Sequence, residues 1–149
     1  MKKKTILITG ANRGIGFKLS ELLANQGHKV IMTGRNTDKL KEARASIEGL
    51  DVLTFQMDVS LENEVIKASK DIGEKVGKID VIINNAGTVY DSYRMERNAE
   101  VPCDTSVDLF EQTMILNVTG SYSVTKHFFS LLDKKYFWRD SLCKVLTSR

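Results

Sequence analysis

The hydrophobic positions of the chain alternate between short continuous runs and helical stripes. Apolar, mostly β-branched runs, which are typical of strands buried on both faces, lie at residues 5–9, 29–33, 52–56, 79–83 and 144–147. Between them, apolar residues recur at helical spacing in the segments 15–26, 36–48, 60–76 and 105–132. Strands that alternate with helices in this way predict βαβ units, a parallel sheet and right-handed crossovers.

The stripes also predict which faces of the helices are buried. The apolar positions of the first helix are Ile15, Leu19, Leu22 and Leu23. Those of the last helix are Phe110, Met114, Val118, Phe128 and Leu132. Ser60 is expected to cap the third helix, and the spacing of Thr105 and Asp108 predicts a capping box at the last one.

Composition and charge indicate an ordinary globular protein of one domain, residues 1–149. The chain is 42% apolar and 28% charged, and its net charge of +3 is too small to indicate nucleic acid. The apolar run after Lys2–Lys4 is too short for a signal peptide or a membrane span. Cys103 and Cys143 show no disulfide or metal spacing, which favours the cytoplasm. His28 and His127 have no carboxylate nearby in sequence and are expected to be structural.

Glycines crowd the turn between the first strand and the first helix. Gly10, Gly14 and Gly16 leave backbone N–H groups at the positive end of the helix, where pyrophosphate is a usual ligand. The spacing differs from G-x-G-x-x-G, and no Gly-Lys-Ser/Thr follows, which excludes a Walker loop. A tight turn with nothing bound is the alternative, but a strand before and a helix after favour the phosphate site. The polar segment 88–104 follows the fourth strand, at the carboxyl edge of the predicted sheet, where ligands bind in such folds. It is either a ligand-binding loop or a mobile insertion.

Four motifs, in this order, resemble those of the short-chain dehydrogenase/reductase family. They are Thr9-Gly10-Ala11-Asn12-Arg13-Gly14-Ile15-Gly16, Asp58 after the third strand, Asn84-Asn85-Ala86-Gly87 after the fourth, and Asn117-Val118-Thr119-Gly120 in the last helix. The resemblance covers the whole chain, whereas members of the family normally continue well beyond this length. It implies an α/β fold, a Rossmann-type doubly wound parallel sheet of about five strands in the order 3-2-1-4-5, with the C-terminal part of the family domain missing.

The resemblance also implies which residues bind a dinucleotide. The expected set is Thr9, Gly10, Asn12, Arg13, Gly14, Ile15 and Gly16 at the pyrophosphate, Arg35 after the second strand at a 2′-phosphate, Asp58 and Val59 at the adenine, and Asn84, Ala86 and Gly87 at the adenosine ribose. Thr9 is expected to lock the turn. The resemblance implies that Asp58 accepts a hydrogen bond from the adenine amino group, although Asp58 taken alone fits better a carboxylate that flanks the helix near Ser60.

The charges after the second strand favour NADP(H) over NAD(H). Sites for NAD hold the ribose 2′-hydroxyl with an Asp or Glu about 20 residues beyond the glycines. Here the strand ends in Thr33-Gly34-Arg35-Asn36, with no carboxylate before Asp38. Arg35 and Arg13 are suited to a 2′-phosphate, because a guanidinium matches phosphate geometry, although each alone also fits an ordinary surface arginine.

Family members transfer hydride between nicotinamide and a carbonyl or alcohol. A Tyr donates or accepts the substrate proton, and a Lys four residues later lowers the pKa of that Tyr. The resemblance assigns the family's water-holding Asn to Asn117 and its substrate-orienting Ser to Ser148, which is otherwise a frayed chain end. Tyr122 and Lys126 spell Tyr-x-x-x-Lys, but they follow Asn117 in the same helix, whereas the family's pair lies on the next helix. We therefore expect Tyr122 to pack, Lys126 to face solvent, and the catalytic pair to lie beyond Arg149.

The sequence thus predicts an NADP(H)-dependent oxidoreductase that acts on a small-molecule carbonyl or alcohol and is not competent as this chain alone. The alternative is a non-catalytic dinucleotide-binding or interaction module, or a truncated remnant. No metal, nucleic acid or membrane partner is expected. An open sheet edge, together with a long helix that commonly pairs subunits in this family, predicts a homo-oligomer.

Overall fold

The computed structural model describes residues 2–88 and 106–133, in which strands and helices alternate. The first part contains β1 (Thr5–Ile8), α1 (Gly14–Asn25), β2 (Lys29–Gly34), α2 (Thr37–Ala45), β3 (Val52–Gln56), α3 (Glu62–Val76) and β4 (Val81–Ile83). The second contains α4 (Val107–Met114), a π-helical turn (Ile115–Thr119), α5 (Gly120–Phe128) and a 3₁₀ turn (Phe129–Leu131). The predicted fifth strand at 144–147 and residues 89–104 of the predicted loop lie outside the described residues.

The strands form a parallel sheet in the order β3-β2-β1-β4. β1 lies between β2 and β4, and β2 pairs with β3 through Val30 and Val52. Two residues before β4, the backbone of Ile79 forms an isolated parallel bridge with Leu132, which follows the 3₁₀ turn. The predicted Rossmann-type fold is therefore confirmed, and the four described strands have the predicted order.

Helices cover both faces of the sheet, and each face has its own hydrophobic core. Successive side chains of a strand point to opposite faces, so Ile6 and Ile8 of β1 belong to one core and Leu7 to the other. The first core includes Ala24 of α1 together with Leu40 and Ala43 of α2. The second includes Val65, Ala68 and Ile72 of α3 and Val124 and Phe128 of α5. Two cores, one on each face of the sheet beneath its helices, are what the doubly wound arrangement predicts.

The buried face of α1 agrees with the predicted one only in part, because Leu19 and Leu23 pack against the first core whereas Ile15 and Leu22 are exposed. Its buried residues are small, namely Gly16, Ser20 and Ala24, whereas Ile15 is 80% exposed and Leu22 is 54% exposed. The reason is close approach: a Cβ on Gly16 would lie 2.6 Å from the carbonyl oxygen of Gly10. Small residues let the helix lie against the sheet, and Ile15 and Leu22 turn outward. The exposed side of α1 carries a shallow apolar depression lined by Gly14, Ile15, Lys18, Leu19 and Leu22.

The last helical segment also departs from the prediction. Its cap is Ser106, whose Oγ accepts the Leu109 N–H at 3.3 Å, rather than a box opened by Thr105, which lies outside the described residues. A π-helical turn divides the segment into two. Phe128 is fully buried and Leu132 packs against the second core, as predicted. Phe110, Met114 and Val118 are 58%, 41% and 53% exposed, because no described element covers α4.

Candidate functional site

The turn between β1 and α1 has a shape that only glycine allows. Gly10 and Gly14 have φ angles of 64° and 58°, in the left-handed region. A Cβ on Gly10 would also lie 2.8 Å from the Cα of Ala86, so the backbones meet there without a side chain between them. The turn ends in the N-terminus of α1, with exposed Arg13 at the N-cap and no acidic residue in the first turn. The open backbone N–H groups and the positive helix end make this place suitable for an anion.

Thr9 and Asn85 hold that turn against the end of β4. The Thr9 Oγ1 accepts the backbone N–H groups of Asn85 and Ala86 at 3.0 and 2.9 Å. The Asn85 side-chain amide donates in return to the carbonyl oxygens of Thr9, at 2.9 Å, and Gly10, at 3.2 Å. Each of these polar groups is thereby satisfied, and the ends of two neighbouring strands are fixed to each other. Asn85 is a site-shaping residue that the predicted set omitted, although it stands inside a recognised motif.

Asp58 has one carboxylate oxygen engaged and one available. Its Oδ1 accepts the backbone N–H of Ser60 at 2.9 Å and the Ser60 hydroxyl at 2.6 Å. The prediction that Ser60 caps α3 is wrong, because its hydroxyl is held by Asp58 and the N-cap is Leu61, without a side-chain cap. Within the described chain no hydrogen bond engages Oδ2 of Asp58. The structural role and a role toward a ligand are therefore compatible.

The π-helical turn places Asn117 against the segment that follows β4. Its Oδ1 accepts the Thr88 N–H at 3.0 Å, and its Nδ2 donates to the Thr88 carbonyl oxygen at 2.6 Å. Gly87 makes this approach possible, since a Cβ there would lie 2.7 Å from Asn117 Oδ1. Asn84 donates through its Nδ2 to Thr125 Oγ1 of α5 at 3.2 Å. In this arrangement Asn117 fixes the backbone beside the site.

Arg13 and Arg35 follow neighbouring strands and are exposed. The two turns that carry them are tied together, because the Ala11 N–H donates to the carbonyl oxygen of Thr33 at 2.9 Å. Gly34 leaves room for the Asn12 side chain, whose Oδ1 lies 3.3 Å from the position of a Cβ. No hydrogen bond or ion pair within residues 2–88 and 106–133 engages either guanidinium. Both cations are therefore available at one edge.

The predicted binding residues within the described ranges all follow the carboxyl ends of the four strands. They are Thr9, Gly10, Asn12, Arg13, Gly14, Ile15 and Gly16 after β1, Arg35 after β2, Asp58 and Val59 after β3, and Asn84, Ala86 and Gly87 after β4. Ser148 lies outside the described residues. Val59 is buried and touches α5, where a Cβ on Gly120 would lie 3.0 Å from its Cγ2. Ligands bind in α/β sheets at this edge.

The lysine of the Tyr-x-x-x-Lys sequence in α5 is engaged by a carboxylate of α3. Lys126 Nζ lies 3.0 Å from Glu62 Oε1, and His127 Nε2 lies 2.7 Å from the same oxygen. Hydrogen bonds from His127 and Lys126 hold the pKa of Glu62 below its ordinary value, and the bond to Glu62 raises the pKa of Lys126. The prediction that Tyr122 packs is wrong: it is 67% exposed, since no described element covers that side of the helix. His127 has a carboxylate partner after all, 65 positions away.

Residues 2–88 and 106–133 contain neither of two other kinds of site. No helix there is long and apolar enough to cross a membrane. The same residues contain no group of three or more His, Cys, Asp or Glu side chains that could hold a metal ion.

The comparison with protein families decides the classification. A family described as short chain dehydrogenase matches residues 4–136. The chain belongs to the short-chain dehydrogenase family. An uncharacterized oxidoreductase of Bacillus subtilis is 30% identical over 141 residues, which are 93% of this chain and 52% of that protein. An NADPH-dependent pterin aldehyde reductase of Arabidopsis thaliana is 33% identical over 130 residues, covering 87% of this chain and 51% of that protein.

Solved structures share this fold. A short-chain type dehydrogenase/reductase from Mycobacterium ulcerans matches with a TM-score of 0.75 and 25% identity, over 88% of this chain and 47% of that one. An actinorhodin polyketide ketoreductase solved with NADPH matches with a TM-score of 0.76 and 24% identity, over 87% and 47% of the two chains. This chain spans about half the length of the relatives that it matches. The predicted family membership is confirmed.

Proposed function

We propose that this short-chain dehydrogenase binds NADP(H) and contributes the coenzyme-binding half of an oxidoreductase acting on a small-molecule carbonyl or alcohol. The observation that carries the proposal is the meeting of a glycine-lined helix N-terminus with two available arginines at one sheet edge. A nicotinamide coenzyme, when bound, supplies or accepts the hydride. The protein supplies binding, orientation and charge.

Each part of the edge suits one part of a dinucleotide. The backbone N–H groups of the first turn of α1 suit the pyrophosphate. The available Oδ2 of Asp58 suits the adenine amino group, with the backbone of Val59 beside it, and Asn84, Ala86 and Gly87 line the adenosine ribose. The Thr9–Asn85 hydrogen bonds fix these groups relative to one another, so that little reorganisation is needed on binding.

Charge supports NADP(H) rather than NAD(H). The acidic residue nearest to Arg35 in sequence beyond β2 is Asp38, in the first turn of α2, where its Oδ1 lies 3.8 Å from Lys41 Nζ. The position that would hold a ribose 2′-hydroxyl in an NAD site therefore carries Arg35 instead. A guanidinium attracts a phosphate and matches its geometry. One relative is named as NADPH-dependent, and one structural neighbour was solved with NADPH.

Within the reaction, Asn117 keeps the segment after β4 in place beside the nicotinamide end, and we assign to Ser148 the orientation of the substrate oxygen. Tyr122 and Lys126 are not assigned the family's catalytic roles, because Lys126 is held by Glu62. We further propose that the protein acts in the cytoplasm as a homo-oligomer. The support for assembly is the exposed apolar side of α4 and the π-helical turn, formed by Val107, Phe110, Met114, Ile115 and Val118.

A non-catalytic dinucleotide-binding module is the second candidate. The observation in its favour is that the only Tyr-x-x-x-Lys sequence in the chain, Tyr122 to Lys126, is committed to an ion pair on α3. Both candidates bind the same coenzyme and differ in turnover by the whole protein. Neither candidate predicts turnover by this chain alone, so reading the gene beyond the codon for Arg149 separates them: an in-frame Tyr-x-x-x-Lys there would contradict the module, and a stop codon would support it.

Binding itself is tested by titrating the chain with NADPH and with NADH, using the fluorescence of its single tryptophan, Trp138. We expect tighter binding of NADPH, and we expect Arg35→Asp to reduce that preference by about 10- to 100-fold, because hydrogen bonds to charged groups are strong. Lys67→Asp, an exposed substitution of the same charge change on α3, is the control and should leave the preference unchanged. Absence of binding by either nucleotide would refute the function, and an unchanged preference in Arg35→Asp would refute the choice of coenzyme.

A further inference from the structure

Gln56, the last residue of β3, contacts the turn that carries Arg35. Its Nε2 donates to the carbonyl oxygen of Arg35 at 3.4 Å, and its Oε1 accepts the hydroxyl of Thr37 at 3.2 Å. The side-chain amide of Gln56 therefore binds both Arg35 and Thr37, which lies two positions after Arg35. Gln56 is absent from the residues that the family motifs indicate, and it lies 21 positions from Arg35 along the chain.

The same turn is fixed at its two ends by other contacts. The carbonyl oxygen of Gly34 accepts the Met57 N–H at 3.0 Å, which continues the β2–β3 pairing to the start of the turn. At the far end, the Asn36 Oδ1 accepts the Lys39 N–H at 2.9 Å and caps α2. Between these anchors, the described side-chain contact to the Arg35 backbone is the one from Gln56.

An amide suits this position because it donates and accepts at once. A carboxylate of the same length cannot donate to a carbonyl oxygen, and an apolar side chain can do neither. The backbone of Arg35 is thus held while its guanidinium has no partner within the described residues. A long, flexible side chain loses much conformational freedom when it binds a ligand, so a fixed starting point lowers that loss.

We propose that Gln56 is a positioning residue for Arg35, and that through Arg35 it sets the preference for a 2′-phosphorylated nucleotide. This inference rests on the proposed function, since it presupposes that Arg35 contacts the 2′-phosphate. It predicts that loss of the Gln56 amide weakens the binding of NADPH and leaves the binding of NADH, which has no 2′-phosphate, nearly unchanged.

The test uses the full chain and two variants, Gln56→Ala and Gln56→Met, of which the second keeps the length of the side chain without its hydrogen bonds. The dissociation constants of NADPH, NADH, adenosine 2′,5′-bisphosphate and AMP are measured for each. We expect both variants to lose about 3- to 10-fold of the preference for the 2′-phosphorylated member of each pair, the range for one lost hydrogen bond. Gln26→Ala, a change to an exposed glutamine at the other end of α1, should lose none.

A double-mutant cycle with Arg35→Ala shows whether Gln56 acts through the arginine. In the Arg35→Ala background we expect Gln56→Ala to change the preference by less than about twofold, since the two effects are not independent. An equal loss for both nucleotides would mean a merely structural role and would overturn the inference, as would the same loss with and without Arg35, or no loss at all. If the wild-type chain bound none of the four ligands, the proposed function would fail first, and the inference with it.

Discussion

Replacing Gly16 by alanine tests how closely α1 approaches the sheet. The added Cβ would lie 2.6 Å from the carbonyl oxygen of Gly10 and 3.1 Å from the Cα of Ala11, and it would also collide with the Asn85 side-chain amide. Two of these neighbours are backbone atoms that cannot turn aside. Overpacking of this kind costs about 1–3 kcal/mol, and the alanine recovers about 0.5–1 kcal/mol through its helix propensity. Displacement of the Asn85 amide removes about a further 1 kcal/mol.

We therefore expect Gly16→Ala to lower the free energy of unfolding by about 2 kcal/mol, measured by urea denaturation with circular dichroism. Gly73→Ala, in the interior of α3, is the matched control: its Cβ would lie 3.0 Å from Cδ2 of Leu131, the far end of a flexible side chain. That variant should stay within about 1 kcal/mol of the wild type. Equal stability of the two variants would refute the close approach of α1, and with it the geometry of the anion site.

Three further predictions concern α3, α4 and α5. Ser123→Ala should raise the free energy of unfolding by about 1 kcal/mol, because the buried Ser123 Oγ has no partner among the described residues; a destabilised variant would contradict this. Since the folded-state pKa of Glu62 is lowered, its contribution to stability is present above its ordinary value of 4.5 and is lost as pH falls through the lowered pKa. The melting temperatures of the wild type and Glu62→Gln should therefore converge on acidification, and a constant gap would refute the ion pair. Met114→Glu should weaken the self-association measured by sedimentation velocity, because it places a charge on the exposed apolar side of α4. A wild-type chain that sediments as a monomer would contradict this prediction.

The sheet was predictable from the sequence because its signal is local. Strand β3 begins at Val52 and ends at Gln56, as the apolar run indicates, and β1, β2 and β4 lie within or overlap their predicted ranges. Parallel strands joined by helices leave few possible orders, since crossovers are right-handed. The residues that follow the strand ends consequently share one edge, which is why the motif residues within the described ranges lie together.

The faces of the helices were less predictable, because an apolar pattern does not reveal how near a helix lies to its neighbour. In α1 the fully buried residues are the small Gly16, Ser20 and Ala24. Of the predicted residues, Leu19 and Leu23 pack against the first core, whereas Ile15 and Leu22 turn outward. Size complementarity across the interface decides this, and size is set by the partner strand rather than by the helix itself.

Partners that are distant in sequence were also missed. Asn85 reaches Thr9 over 76 positions, and Glu62 reaches His127 over 65. The sequence around one member of such a pair does not indicate the other member, because the two come together only after the strands are in register. Polar residues at the ends of elements are where such hidden partners are found, since backbone groups left open there must be satisfied.

The π-helical turn at Ile115–Thr119 has a consequence for how this segment tolerates insertions and deletions. A π turn holds one residue more than the α-helical turn it replaces, and each residue advances an α-helix by about 100°. Deleting one residue there would restore a regular helix, but it would rotate everything downstream by that angle relative to α4. Val124 and Phe128, which are fully buried in the present structure, would be rotated out of the second core. The π-helical turn thus sets the rotation of α5 relative to α4. With this rotation Asn117 binds Thr88, and α5 still packs against the sheet.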